Sequence, residues 1–394
     1  MAIPRGIWAL GFVSMFMDIS SEMILGLLPL FLVQVLGASA TAVGVLEGVA
    51  ESVVHLFRLL SGVLSDRLGR RKTLLLIGYG IAALAKPLFP IAESFGTVFA
   101  ARFVDRIGKG IRGAPRDALV ADLAPPGMRG SSYGLRQSLD TIGAFLGPLG
   151  AIVCMLALGG DFRSVFWIAS LPAFVSVLLL ALLVSDAPGP GSMRPGQAVR
   201  WSDLGDLPRA FWYVMAIAAV FTLARFSEAF LVLRAGNVGL RADFVPAVLV
   251  LMNLSYAVSS YPAGRYSDTL DRRWILLIGG AALAAADLFL AGAAGLTGLA
   301  AGIFLWGLHM GLSQGLLAAL VADVAPVEKR GSAFGLFSLL SGLMMLSASA
   351  AAGAVWDRFG PAIVFHAGAG VAALGMMGLY IDMRLRPPRS NPLL

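Results

Sequence analysis

The sequence is poor in charged residues. Asp, Glu, Lys and Arg make up 13% of its 394 residues, whereas 58% are hydrophobic. Soluble domains carry roughly 25% charged residues, and the polar lumen positions of a membrane β-barrel would also give a more polar composition. The shortage excludes an ordinary soluble domain and disfavours a barrel, because most of the chain lies where charge is energetically unfavourable.

Cysteine and histidine are scarce as well. Cys154 is the one cysteine, so no disulfide can form within the chain. The chain has three histidines and no Gly-x-x-x-x-Gly-Lys pattern. It therefore lacks both a Ser/His/Asp arrangement and a phosphate-binding loop. We expect neither an enzyme nor a cofactor, and no direct use of ATP.

Long apolar runs are abundant instead. Val165–Val184 is nearly continuous, and Ile275–Leu296 is interrupted only by Asp287. Because about 20 apolar residues cross a bilayer as a helix, these runs predict an all-α membrane protein with twelve transmembrane helices. The predicted helices are 7–33, 40–64, 73–91, 96–122, 132–157, 163–184, 209–234, 243–264, 274–293, 297–322, 332–354 and 361–382. Asp18 and Glu22 lie inside the first one, which we therefore expect to be retained rather than cleaved as a signal peptide.

Lysine and arginine are distributed unequally between the loops. Seventeen lie in one set of alternate loops, and three, Arg163, Arg241 and Arg358, lie in the other. Cytoplasmic loops of membrane proteins are enriched in these residues, so we expect both termini on the cytoplasmic side of the cytoplasmic (inner) membrane. The same asymmetry accounts for the net charge of +7 without a nucleic-acid partner.

The chain repeats itself. Ala118–Asp122 recurs as Ala319–Asp323, and Arg129–Leu135 recurs in degenerate form as Arg330–Leu336, in both cases 201 residues later. An offset that spans six helices predicts two parallel repeats, at 1–185 and 210–394. The segment between them, 186–209, is rich in Pro and Gly and is predicted to be a cytoplasmic linker.

Three motifs mark the first repeat. The loop after helix 2 reads Gly62-Val-Leu-Ser-Asp66-Arg67-Leu-Gly69-Arg70-Arg71-Lys72, with a degenerate copy at Gly264–Arg273. Helix 4 contains Arg102-Phe-Val-Asp105-Arg106-Ile-Gly108-Lys109-Gly110. Helix 5 contains Gly134, Gly143 and Gly147-Pro148, followed by Gly150-Ala151. Over nearly the whole chain, these features resemble the major facilitator superfamily of transporters.

The resemblance implies a fold and a direction of transport. The family's fold is two pseudo-twofold-related six-helix bundles, with helices 1, 4, 7 and 10 around a central cavity. The helix 5 motif is similar to that of the family's exporters, although Gly150-Ala151 stands where they have a glycine pair.

The resemblance also implies a gate. In the family, a carboxylate at the position of Asp66 faces the start of helix 11, here near Ser332. The arginines of the loop pair with an acid at the end of helix 4, here Asp122. Such contacts would stabilise one of two states by closing the cytoplasmic side. The predicted gating residues are Asp66, Arg67, Arg70, Asp122 and Arg116. In the alternative interpretation these charges only set the topology.

Helix 4 carries an unusual number of cations. At 100° per residue, Arg102, Arg106, Lys109, Arg112 and Arg116 fall on one face. A lipid-facing cation would cost roughly 2.5–3.5 kcal/mol, so this face borders water or partners. We predict that Arg102, Arg106, Lys109 and Arg112 bind substrate. Arg225 on helix 7 and His309 on helix 10 join them, since the resemblance places both helices at the cavity.

Acids balance these cations. Apart from Asp122 at the end of helix 4, helices 1, 2, 4 and 5 together carry seven acids and seven cations, and two interpretations stay open. Either the pairs are static and hold the helices together, or some cations bind an anionic or zwitterionic substrate while some carboxylates exchange protons. For proton coupling we predict Glu22, Asp18, Glu51 and Glu47. Lys86, which precedes Pro87, is expected to extend to the membrane surface.

A metal site is not predicted. Glu47, Glu51 and His55 recur every four residues and would offer three ligands on one helix face. The nearby arginines would repel a cation.

These features predict a monomeric secondary transporter driven by the proton gradient. Its expected activity is antiport that exports a small organic anion or zwitterion. A proton-coupled uptake symporter is the alternative within the class. A non-transporting sensor or receptor is disfavoured because it needs no polar path through the bilayer, and a channel is disfavoured by the predicted gate.

Overall fold

The computed structural model describes residues 3–68, 70–125, 127–186, 207–267, 270–326 and 329–385. Most of the predicted linker, 187–206, lies outside this part of the chain. So do the side chains of Asp66 and Arg67, two of the predicted gating residues. The described residues form twelve long helices, which confirms the predicted all-α fold.

The first six helices form the N-terminal half. They are α1 (Arg5–Leu25, continued by Leu28–Leu30 and a π-helical turn Phe31–Val35), α2 (Ala40–Leu68), α3 (Arg71–Ala85, extended by a 3-10 turn Lys86–Leu88), α4 (Phe95–Leu123), α5 (Arg129–Ala157) and α6 (Phe162–Leu183).

The other six helices form the C-terminal half. They are α7 (Arg209–Ala224 and Ala229–Asn237), α8 (Ala247–Ser267, preceded by a 3-10 turn Ala242–Phe244), α9 (Arg272–Ala291), α10 (Leu296–Val324), α11 (Arg330–Phe359) and α12 (Pro361–Leu385).

Nine of the described helices, α1 and α5 to α12, are long and apolar enough to cross a membrane. The other three differ for separate reasons. The helical segment of α3 has 15 residues, whereas α2 and α4 carry many of the charged side chains described below. These two helices pack against each other within the bundle, so their charges meet one another rather than lipid.

Two helices are broken at equivalent positions of the repeat. The prediction of a continuous helix over 209–234 is wrong, because α7 is interrupted between Ala224 and Ala229. Backbone N–H groups freed by the break find other partners: Ser227 N donates to Ser349 Oγ at 3.1 Å, and Ala229 N donates to Ser227 Oγ at 3.2 Å. The helix predicted at 7–33 is likewise interrupted at Gly26–Leu27, about 200 residues earlier. Breaks at membrane depth are tolerated where such partners exist.

The two halves meet on one side of the bundle. We call the side where α1 begins and α12 ends the termini side, and the other the opposite side. A large apolar cluster joins the halves on the opposite side and includes Leu28 and Phe31 of α1 with Phe230 and Leu231 of α7. The other apolar clusters each stay within one half. The described conformation is therefore closed on the opposite side.

Candidate functional site

A cavity of about 460 Å³ lies between the halves. We call it the central cavity. Most of the residues that line it are charged or polar, and they come from six helices: Glu22 (α1); Glu47, Glu51 and His55 (α2); Arg102, Arg106 and Lys109 (α4); Thr222, Arg225, Ser227 and Glu228 (α7); His309, Ser313 and Gln314 (α10); Ser341 (α11).

Two glycines allow α4, which lines this cavity, to pack closely against α3 and α2. A Cβ on Gly108 would lie 3.0 Å from the Ala82 Cβ of α3, and one on Gly110 would lie 2.5 Å from the Phe57 Cβ of α2. Both neighbours can approach only because these positions lack a side chain. Lys109, between them, is exposed to the cavity.

Gly110→Ala is expected to lower the free energy of unfolding by about 1–3 kcal/mol, as overpacking typically does. The added methyl group would also lie 3.0 Å from the backbone oxygen of Val54, which cannot move independently of α2. Thermal unfolding in detergent measures the loss. Gly80→Ala is the matched control, because a Cβ there meets nothing within 4 Å. Equal melting temperatures for the two variants would contradict the assigned packing.

The glycines of the helix 5 motif also serve packing. A Cβ on Gly143 would lie 2.6 Å from the Met15 backbone oxygen, and one on Gly147 would lie 2.8 Å from that of Ile19. Close contact between α1 and α5 is a sufficient reason for both glycines, whichever direction a solute moves.

A buried ion-pair network fixes the deeper part of α4. Arg102, only 2% exposed, donates to Glu47 at 2.7 Å. Arg106 lies 3.2 Å from Asp105 and 3.9 Å from Glu51. The predicted substrate cations Arg102 and Arg106 therefore line the cavity already paired with acids. Their partners Glu47 and Glu51 are two of the predicted proton carriers.

Lys86 completes this network, and its expected extension to the membrane surface is wrong. The side chain is 1% exposed and lies 2.9 Å from Asp105. It also donates to Ser21 Oγ of α1 at 3.0 Å. The 3-10 turn after α3 directs the ammonium group inward, where the acid of α4 holds it. Sequence spacing did not show this contact, because it joins helices that are distant in the chain.

Four charged side chains of the cavity have no partner among the described residues. They are Glu22 and Lys109 in the N-terminal half and Arg225 and Glu228 in the C-terminal half, and none forms an ion pair or a side-chain hydrogen bond there. Arg225 Nη1 is buried without an acceptor. Glu228 was not among the predicted site residues, although its spacing of three from Arg225 in an apolar run was a usable signal.

A second cavity of about 290 Å³ adjoins the first and extends toward the termini side. Lys109 and Glu22 line both cavities, whereas Arg112, Arg116 and Asp18 line only the second. The Arg112 guanidinium stacks 4.5 Å above the Tyr79 ring, and its Nη1 has no hydrogen-bond partner among the described residues. Of the four α4 cations predicted to bind substrate, Arg112 is thus outside the central cavity.

Arg116 and His309 are held by their neighbours. Arg116 Nη1 donates to Ser14 Oγ at 3.1 Å, and the guanidinium lies 3.4 Å from Asp117 and 3.7 Å from Asp140. His309 is buried, with Nδ1 2.8 Å from the Gly279 carbonyl oxygen of α9. Its imidazole therefore reaches the cavity wall in a fixed orientation.

The predicted gate is partly described. Arg71, rather than Arg70, lies 2.7 Å from Asp122. Arg70 is exposed. The C-terminal half has the same contact 201 residues later, between Arg272 and Asp323. Within the part of the chain that the structure describes, no group of three or more His, Cys, Asp or Glu side chains is placed to hold a metal ion.

The chain is similar to a protein-family model, to other proteins in sequence and to solved structures in fold. A family model of the Major Facilitator Superfamily matches residues 10–241 and 229–393. An uncharacterized MFS-type transporter of Methanocaldococcus jannaschii is 31% identical over 386 residues, which are 96% of this chain and 95% of the relative. A multidrug resistance protein of Proteus mirabilis is 28% identical over 138 residues, 35% of this chain and 34% of its own. The crystal structure of a nucleoside transporter matches with a TM-score of 0.80 at 13% identity, over 95% of this chain and 99% of the other.

Proposed function

This multi-pass membrane protein belongs to the Major Facilitator Superfamily and is a transporter rather than an enzyme, and from that premise we propose that it exports a small anionic or zwitterionic solute in exchange for protons. The observation that carries the proposal is the pair Lys109 and Arg225, two cations that face one cavity from opposite halves and have no acid within ion-pair distance among the described residues. It acts as a monomer in the inner membrane, with the termini side in the cytoplasm, and needs no cofactor besides the proton gradient.

Unpaired cations at membrane depth need a reason. Charged side chains inside a membrane are energetically unfavourable and normally pair with one another, as Arg102 and Glu47 do here. Among the described residues neither Lys109 nor Arg225 has an acid within ion-pair distance, so both cations are available to a negatively charged ligand. A ligand that contacts both would join the two halves, and its binding would change the equilibrium between the conformations.

The unpaired acids support proton exchange. Glu22 and Glu228 line the same cavity without a cation within ion-pair distance in the described residues. A carboxylate can hold either a proton or the ammonium group of a zwitterion. Competition between these two ligands for one acid is the requirement for antiport, in which proton and solute occupy the site in turn. The similarity to a multidrug resistance protein, limited to about a third of the chain, agrees with efflux.

A thermal-shift screen tests the ligand class. Benzoate, alanine, glycine betaine and tetraethylammonium are added to the purified protein in detergent at acidic and at alkaline pH. A ligand at about 100 times its Kd stabilises the folded state by about 2.7 kcal/mol. We expect stabilisation by the carboxylate-bearing compounds, and its loss in Lys109→Gln. Arg241→Gln is the control, because that exposed loop arginine lies outside both cavities. Stabilisation by tetraethylammonium alone would contradict the proposal.

A further inference from the structure

Asp287 of α9 is an acid buried where no other group neutralises it. Its side chain is fully buried, and neither carboxyl oxygen has a hydrogen-bond partner among the described residues. Burying an ionised carboxylate without a partner is far more unfavourable than burying a neutral polar group. The surroundings of Asp287 therefore favour the neutral acid.

Aromatic side chains separate this carboxyl group from the central cavity. A Cβ on Gly368 of α12 would lie 2.5 Å from Asp287 Oδ2 and 3.2 Å from Phe226 Cε1, so the carboxyl group and the Phe226 ring border the same space. Phe226 belongs to the break in α7 and also lines the cavity. Its ring centroid lies 5.3 Å from that of Trp306 and 5.5 Å from that of Phe365. Phe226 thus borders both the Asp287 carboxyl group and the central cavity.

The charged and titratable groups described on the neighbouring helices α7, α10 and α12 do not contact Asp287. Arg234 of α7 donates to the backbone oxygens of Leu290, Ala291 and Ala293 at the end of α9. On α10, His309 contacts Gly279, and on α12, His366 is exposed. Arg225 and Glu228 of α7 line the cavity. None of these groups forms an ion pair with Asp287 in the described part of the chain.

The repeat shows what these positions do in the other half. The positions 201 residues before Asp287 and Trp306 are Lys86 and Asp105, which form a closed ion pair at 2.9 Å. In the C-terminal half the same two positions hold an acid and an indole N–H, and Trp306 Nε1 is also buried without a partner in the described part of the chain. The position equivalent to an ion-paired lysine therefore holds an acid that has no partner among the described residues.

We propose that Asp287 is a proton-binding site. In the described conformation it is protonated and shielded by the Phe226 ring. When the break in α7 rearranges and moves that ring, the acid returns its proton to cavity water, which becomes hydronium, and it regains a proton from hydronium later. Its role in transport rests on the proposed proton coupling, whereas its protonation in this conformation does not.

Infrared difference spectroscopy of the purified protein tests the site. The spectrum of the unsubstituted protein minus that of Asp287→Asn, at alkaline pH, is expected to contain the C=O band of a protonated carboxyl group. Asp161→Asn is the control and removes no such band, because Asp161 is exposed and accepts hydrogen bonds from Arg163 N and Ser164 Oγ. A difference spectrum without the band would overturn the proposal.

Exchange into D₂O tests the shield and does not need the Asn variant to fold. The deuterium shift of the protonated-carboxyl band is expected to be slow in the unsubstituted protein and faster in Phe226→Ala, which keeps Asp287. Equal exchange rates would overturn the role of Phe226. A protein that shows the band but transports solute without proton movement would contradict the proposed antiport and leave the proton site standing.

Discussion

Replacing Glu47 with glutamine is expected to lower the free energy of unfolding by about 3–5 kcal/mol, because it leaves the buried Arg102 without its acid. The two side chains are 4% and 2% exposed. The other acid near Arg102 is Asp105, at 3.9 Å, and Lys86 and Arg106 already contact it. After the substitution three cations would surround one buried carboxylate.

The double variant Glu47→Gln/Arg102→Gln is the control for this experiment. It removes both charges, and replacing a whole buried pair is far less destabilising than removing one partner. Most of the lost stability is therefore expected to return, as measured by denaturant unfolding in detergent. If Glu47→Gln alone leaves the unfolding free energy unchanged, Glu47 is uncharged in this conformation. The static pair would then be wrong, and the predicted proton-coupling role of Glu47 would be favoured.

Replacing Asp357 with alanine is expected to open the opposite side of the bundle. Asp357, in the last turn of α11, accepts hydrogen bonds from Ala40 N at 3.0 Å, Thr41 N at 2.8 Å and Thr41 Oγ1 at 2.6 Å. The first turn of α2 attracts a carboxylate because its N–H groups are free and the helix dipole is positive there. These contacts join the halves only while the opposite side is closed. Losing about 1–3 kcal/mol of such coupling corresponds to a change in population of about 5–150-fold.

Cysteine labelling measures this change. Leu231, fully buried in the apolar cluster between the halves, is replaced by cysteine in a Cys154→Ser background and treated with a membrane-impermeant maleimide. Asp357→Ala is expected to speed the labelling. Asp161→Ala is the matched control, since Asp161 also accepts hydrogen bonds from the first turn of a helix, but its partners in the described part of the chain belong to α6, the helix that it caps. Identical labelling rates in the two variants would show that Asp357 does not hold the halves together.

The predicted gate involves the same two helices, α2 and α11, at their other ends. Asp66 lies in the last turn of α2 on the termini side, where the resemblance places it against the start of α11. Asp357 lies in the last turn of α11 and contacts the start of α2. Asp66→Asn is accordingly expected to favour opening of the termini side, the reverse of Asp357→Ala.

The helices could be predicted because they depend on local sequence. Apolar runs and charge asymmetry gave twelve helices, and the 201-residue offset places Arg71 with Asp122 and Arg272 with Asp323 in equivalent contacts. The angular spacing along α4 also predicted correctly that its cations face the interior rather than lipid.

Pairing between helices could not be predicted, because it depends on how distant segments approach. Lys86 resembled a surface lysine until the turn after α3 placed it beside Asp105. Lys109 and Arg102 look alike in sequence, seven residues apart on one helix. Arg102 nevertheless meets Glu47, whereas Lys109 has no acid within ion-pair distance among the described residues. The break in α7 replaces helical hydrogen bonds with contacts to Ser349, a residue more than 100 positions away.

Transport into inside-out membrane vesicles tests the central claim most directly. The ligand found by thermal shift is added outside vesicles that respiration acidifies internally, so that accumulation inside corresponds to export from the cell. We predict accumulation that a proton ionophore abolishes and that Lys109→Gln and Arg225→Gln each remove, while Arg241→Gln retains it. Accumulation that survives the ionophore, or that survives loss of both cavity cations, would contradict proton-coupled export through this cavity. Accumulation only in right-side-out vesicles would show uptake instead.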